Sequence, residues 1–289
     1  MAGAWREAVV AMIGGDAGMP RWLSLGGSSL NELWRVDVGA HSYFVKANVA
    51  SRLPMLRAEA DGLSELARAK AIRVPVPAAC GKAHGISFLV LEWLDLVAGG
   101  RDAAMGRALA HLHRTTSDRF GWYRDNTIGT TPQSNAWCDD WGEFFRDCRI
   151  APQLARARRN GHRQLGHDGD ALLDAIPALL AGYTPAPSLV HGDLWSGNAG
   201  RLARGEPVIF DPACYYGDRE TDLAMAELFG GFDDTFFAAY REIWPGDDGY
   251  ALRRTLYNLY HVLNHLNLFG AGYLARAEAM IGEVLTNVR

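Results

Sequence analysis

At Gly99-Gly100 the sequence changes character, and the change limits what the chain can fold into. Before it, short alternating apolar segments are separated by Gly-rich turns; after it, helical periodicity takes over. Residues 4–13 read as a short helix that Gly14-Gly15 ends. WLSLGG (22–27), LNELWRVDV (30–38) and HSYFVKANV (41–49) read as strands, with turns at Gly26-Gly27-Ser28-Ser29 and Gly39-Ala40. In RLPMLRAEADGLSELARA (52–69), Leu56, Leu63 and Leu66 with Ala60 and Ala67 share one helical face. Val74-Pro75-Val76-Pro77 ends that helix, and two more strands follow around 76–81 and 86–92.

Beyond Gly100 the helical segments are 102–116, 138–159, 167–181, 219–229, 233–243, 248–268 and 271–287. A polar Gly/Asn/Thr-rich loop (118–137) and strand-like pieces within 188–218 interrupt them. The expected fold is α+β and bilobal. A small antiparallel-sheet lobe with one main helix covers residues 1–95, and a larger helical lobe covers 96–289, with a hinge near 92–100.

At 289 residues the chain is long enough to bury a sizeable core, and 48% hydrophobic with 21% charged residues marks a globular protein. A net charge of −4 argues against a general nucleic-acid binder. Cys80, Cys138, Cys148 and Cys214 form no CxxC pair, so neither a disulfide framework nor a zinc site is expected. No secretory pattern opens the chain and no apolar run approaches the ~18–20 residues a bilayer span needs, so no membrane partner and a cytoplasmic location are expected. Nothing in the sequence sets an oligomeric state.

Chemistry concentrates in His191-Gly192-Asp193-Leu194-Trp195-Ser196-Gly197-Asn198. An Asp followed five residues later by an Asn, between short strands, is the arrangement phosphotransferases use: Asp193 to orient and deprotonate an acceptor hydroxyl, Asn198 to hold Mg²⁺. Val208-Ile209-Phe210-Asp211-Pro212 then adds a second carboxylate after an apolar strand, and Asp211 with Asn198 suits a hard cation shared with phosphates. HGD and FDP would each pass alone as turns; in this order they do not.

The first lobe offers a separate check. Lys46, one of three lysines, sits mid-strand in YFVKA, where an unpaired charge is costly, and Glu59 lies on the following helix. A strand lysine paired with a helix glutamate holds the α/β-phosphates of ATP in kinases. Gly26, Gly27 and Ser28 form a turn whose N–H groups could approach phosphates. Glu92, Trp93 and Leu94, at the end of the last strand of this lobe, offer main chain to an adenine edge. His261 and His265, at i and i+4, are read as packing, as are His111 and His113, and Asp139-Asp140 as a solvated helix face.

The order of these motifs resembles the protein-kinase-like fold. HGDLWSGN (191–198), FDPACYYGDRETDLAM (210–225), YFVKAN (43–48) with AEADGL (58–63), and DNTIGTTPQSNAWCDDWGEFF (125–145) resemble the fructosamine/ketosamine kinase family of the aminoglycoside-phosphotransferase-like group. Trp195 discriminates, since relatives acting on antibiotics or choline usually carry another residue there; Asp218 departs from the family, where His is common. The resemblance implies phosphorylation by ATP and Mg²⁺ of a sugar hydroxyl on a small or protein-bound ketosamine (fructosamine or ribulosamine). Modification at the sugar's third carbon destabilises the adduct, which is a repair role. It also implies Trp195 and His191 as acceptor-side residues, with 125–137 as a rim. Aminoglycoside or amino-alcohol phosphorylation is the alternative acceptor chemistry, and a catalytically silent nucleotide-binding protein the alternative class. Only about ten residues separate Asp211 from Glu220 and Asp222, with no APE-type anchor, so the platform a protein kinase gives its peptide is absent. Asp222 is expected to anchor the HGD loop by hydrogen bonds.

Overall fold

A computed structural model describes residues 3–14, 19–27 and 30–288. Strands β1 (Arg21–Gly27), β2 (Glu32–Val38), β3 (His41–Val49), β4 (Pro77–Ala83) and β5 (Ile86–Glu92) form an antiparallel sheet in the order β1-β2-β3-β5-β4. Helix α1 (Ala4–Met12) covers one face and α2 (Leu53–Arg68), between β3 and β4, covers the other. The period of two explains both layers. Val45, Ala47, Phe88 and Val90 pack with Trp5 and Val9 of α1, whereas Leu89 and Leu91 join Leu56, Leu63 and Leu66 of α2 in the main core. The same alternation turns Lys46 towards α2, where Glu59 falls three residues after Leu56 and four before Leu63.

The rest of the chain is helical apart from short strands. After β6 (Leu96–Val97) come α3 (Ala103–His113), the hairpin β7 (Asn126–Ile128) and β8 (Thr131–Gln133), then α4 (Trp141–Phe145) and α5 (Ala151–Arg159), joined by a π-helical turn at Arg146–Ile150. Helix α6 (Gly166–Leu179) leads to β9 (Ser188–Val190), β10 (Ala199–Leu202), β11 (Pro207–Ile209) and β12 (Tyr215–Gly217). The chain ends with α7 (Glu220–Leu228), α8 (Asp234–Ile243), α9 (Tyr250–Phe269) and α10 (Leu274–Val288). Much of α9 is buried, and α7 and α10 pack against it.

Two sequence expectations are corrected. The 118–137 loop contains the β7–β8 hairpin, which the sequence hides because three of the four residues it turns inward are polar (Asn126, Thr131 and Gln133, with Ile128) and give no apolar alternation to read. The 92–100 connection is also not all hinge: Leu96 and Val97 pair with Leu202 and Arg201 of β10. Among the described residues no helix is long and apolar enough to cross a membrane.

Candidate active site

The turns among β9–β12 carry Asp193, Trp195, Asn198 and Asp211. Asp222, on the first turn of α7, accepts hydrogen bonds from the N–H groups of His191 (2.6 Å) and Gly192 (2.9 Å), and its Oδ2 also meets His113 Nε2 at 3.1 Å. Burial opposes its charge, but these hydrogen bonds, led by that of His113, hold its pKa below the usual carboxylate value. Asp222 therefore ties down the HGD loop, as its place in the sequence implies. Gly192 has φ +81°, and a Cβ there would lie 2.2 Å from Ala213 O, so this position admits only glycine.

The loop presents Asp193, Trp195 and Asn198. Asn198 Nδ2 donates to Asp193 O (2.9 Å) and Asp193 Oδ2 (3.2 Å), and reaches Asp211 O at 3.5 Å. Burial, reinforced by the charge of Asp211, pushes the Asp193 carboxyl up to about 7. Asp211 follows β11 with φ +57°, a left-handed conformation that costs a non-glycine residue of order 1–3 kcal/mol and that clusters at functional sites. Its carboxylate meets Lys46 Nζ at 2.5 Å, and Lys46 also contacts Glu59 Oε1 at 2.7 Å. Burial alone would depress the Lys46 pKa; the charges of Asp211 and Glu59 instead hold it above the ordinary lysine value.

These groups open onto one cavity of about 580 Å³. Lys46, Glu59, Asp193, Trp195, Asn198 and Asp211 line it together, with Leu30, Leu33 and Phe44 on the sheet side and Asn126–Gly129 as a rim. Phe229, His265, Phe269 and Tyr273 form an aromatic wall, with His265 5.0 Å from Phe229 and 5.1 Å from Tyr273 between ring centroids. The Trp195 indole is 41% exposed and lies over Gly197, where a Cβ would come within 2.1 Å of the ring. The carboxylates among the described lining residues are Glu59, Asp193 and Asp211.

Other sequence-selected residues sit elsewhere. His191 is fully buried: its Nε2–H donates to Phe210 O (2.9 Å) and its Nδ1 faces the Asp193 N–H (3.3 Å). It braces the loop and is not a lining residue, which corrects its assignment to the acceptor side. Glu92, Trp93 and Leu94 are not among the lining residues either; the Glu92 N–H donates to Val76 O and its carboxylate pairs with Arg73. Gly26 and Gly27 are exposed members of β1, and Ser28 lies outside the described residues. Asp218 is buried away from the cavity, accepting from Tyr257 OH at 2.6 Å, and burial with the charge of Glu220 raises its pKa to about 6. His265 is the exception: its ring stands in the aromatic wall of the cavity, while its Nδ1–H donates to the carbonyl of His261 (2.8 Å).

Sequence reasoning missed Asn48, whose Nδ2 donates to Leu30 O (2.6 Å) and Asn31 Oδ1 (2.9 Å) and so fixes the end of the Gly-rich turn at the cavity. It also missed the aromatic wall, whose members come from segments far apart in the chain.

A family model described as fructosamine kinase matches residues 8–287. The chain belongs to the fructosamine kinase family. A Synechocystis protein named as a ketoamine kinase is 48% identical to this family member over 265 residues, 91% of this chain and 89% of that one. A chloroplastic protein-ribulosamine 3-kinase of Arabidopsis thaliana is 41% identical over 267 residues, covering 91% and 82%. The crystal structure described as a fructosamine-3-kinase from Haemophilus somnus is similar with a TM-score of 0.88 and 30% identity, covering 96% of each chain. This fructosamine kinase family member is therefore a phosphotransferase with a sugar hydroxyl as acceptor, and its fold is the protein-kinase-like one.

Proposed function

We propose that the protein transfers the γ-phosphoryl group of ATP to a sugar hydroxyl of a fructosamine or ribulosamine, free or protein-bound, as a deglycation step. What carries the reading is the convergence of Lys46, Glu59, Asp193, Asn198 and Asp211 on one cavity that Phe229, His265, Phe269 and Tyr273 also line. Residues 1–95 would hold the nucleotide and 96–289 the acceptor. Asp193 takes the hydroxyl proton as the acceptor oxygen bonds the γ-phosphorus and the bridging oxygen to the β-phosphate leaves with its electron pair on ADP. Lys46, oriented by Glu59, pairs with the α/β-phosphates.

The donor set fits Mg²⁺. Among the described residues no three His, Cys, Asp or Glu side chains converge as a metal cage, while Asn198 and Asp211 are neighbours (Asn198 Nδ2 reaches Asp211 O at 3.5 Å) and both line the cavity, each carrying a hard side-chain oxygen. That is the partial site a cation completed by phosphate oxygens needs. Asn198 and Asp211 would hold the ion, which when bound neutralises phosphate charge.

The lining also bears on the acceptor. A polycationic antibiotic calls for carboxylates beyond the phosphoryl-transfer machinery, and those in the lining (Glu59, Asp193, Asp211) are all assigned to it. Trp195 instead offers the sugar or amine a flat face. Gly197→Ala should dislodge the indole and raise the acceptor KM roughly tenfold, about 1.4 kcal/mol, with nucleotide KM unchanged; steady-state kinetics read the split. The reading itself is tested by ADP release with ATP and Mg²⁺ against fructosyl-lysine, ribulosyl-lysine, an aminoglycoside and an amino alcohol. Turnover confined to the ketosamines is expected. Turnover only on another acceptor would discard the repair role, and none with any acceptor would favour a silent nucleotide binder.

A further inference from the structure

The segment TPQSN (131–135) lies behind the acceptor rim, and its two amide side chains are too deep to touch a ligand: Gln133 is 2% exposed and Asn135 0%. Gln133 Nε2 donates to Asn126 Oδ1 (2.8 Å) and Ala213 O (3.0 Å), and its Oε1 accepts from Tyr260 OH on α9 (2.6 Å). Asn126 Nδ2 donates to Cys214 O (2.8 Å). Asn135 Nδ2 donates to Asn126 Oδ1 (2.9 Å) and Arg124 O (3.1 Å), while its Oδ1 accepts from the buried Arg149 guanidinium (2.8 Å). Two buried main-chain carbonyls just beyond Asp211 are thus satisfied by side-chain amides from the hairpin.

Ala213 is where three parts of the site meet. Its N–H donates to His191 O (3.0 Å), its carbonyl accepts from Gln133, and Gly192 crowds the same carbonyl. We infer that Gln133, supported by Asn126 and Asn135, is a positioning residue that sets the separation between the acceptor rim at Asn126–Gly129 and Asp211. This rests on the roles proposed above for the rim and for Asp211. Glutamine suits the task because one side chain must donate twice and accept once; a carboxylate has no proton to give and a hydroxyl only one. A satisfied buried network holds its parts to one arrangement.

The test is Gln133→Met, which keeps length and removes both donors, with Tyr260→Phe as a milder variant that removes one bond. Two measurements are made on the full chain: amide hydrogen exchange without ligands, and steady-state kinetics. Exchange should quicken together in 126–133 and 212–214 while the β1–β5 sheet keeps wild-type rates. The acceptor KM and the Mg²⁺ concentration for half-maximal rate should each rise about tenfold, with metal-free ATP affinity unchanged. Tyr260→Phe should move both readouts the same way by less, and it decides the matter if Gln133→Met does not fold. Wild-type exchange in both segments would overturn the inference, as would quickened exchange with unaltered acceptor KM and Mg²⁺ requirement. Exchange needs no substrate, so a wild-type protein inactive on every ketosamine would overturn the acceptor reading and leave the tie between hairpin and Asp211 to be judged by exchange alone.

Discussion

Asp193→Asn is expected to lower turnover by about 10²–10⁴-fold while nucleotide affinity changes by less than about twofold. The carboxylate is held by Asn198, and its proton affinity is raised by burial and then by Asp211, which favours proton acceptance near neutral pH. Asparagine keeps the shape and the contact to Asn198 but cannot take a proton. ADP release with a saturating ketosamine reads the first quantity and calorimetric titration of nucleotide the second. Retained turnover would remove Asp193 from the chemistry. A linked effect concerns stability without ligand or metal. The folded pKa of Asp193, about 7, lies above its ordinary 3.8, so the unfolded chain loses this proton first and the wild-type fold weakens as pH rises between the two values. The Asn variant escapes this, so its Tm should match wild type near pH 4 and exceed it above pH 7. Thermal melts across that range check the sign.

The parts of the site legible in the sequence are those whose chemistry fixes both residue type and spacing. Asp193, Asn198 and Asp211 are brought together by two short strands and their turns, and a lone mid-strand lysine names its partner once the helix face is drawn. The supporting parts are hidden because they invert the usual pattern. Asn126, Gln133 and Asn135 are polar yet buried, so the hairpin they stabilise reads as a solvated loop. His191 sits within the motif itself and reads as a ligand-facing group, whereas both ring nitrogens face main-chain groups of the same region. The aromatic wall draws Phe229 from just beyond α7, His265 and Phe269 from α9 and Tyr273 from the turn before α10. Only the packing of these helices makes it one surface.

Lys46→Met should cost both stability and turnover, and a second substitution should separate the two. Lys46 is 4% exposed, and its ammonium serves two carboxylates. Asp211, with its side chain 45% exposed, can turn to water when the lysine is gone; Glu59, at 13%, cannot. Removing one partner of a buried pair leaves an uncompensated charge, at a cost on the order of 3–5 kcal/mol. Lys46→Met should therefore lower the denaturant midpoint markedly, and adding Glu59→Gln should restore most of it by neutralising the stranded carboxylate. Turnover behaves differently. If Lys46 stabilises phosphate charge in the transition state, its loss lowers the rate by about 10²–10³-fold, the scale for removing one preorganised electrostatic group, and Glu59→Gln cannot return it. Denaturation midpoints and ADP release for the single and double variants decide the point. Recovery of both in the double variant would make the pair a folding element alone, whereas recovery of stability without turnover assigns Lys46 to the phosphates.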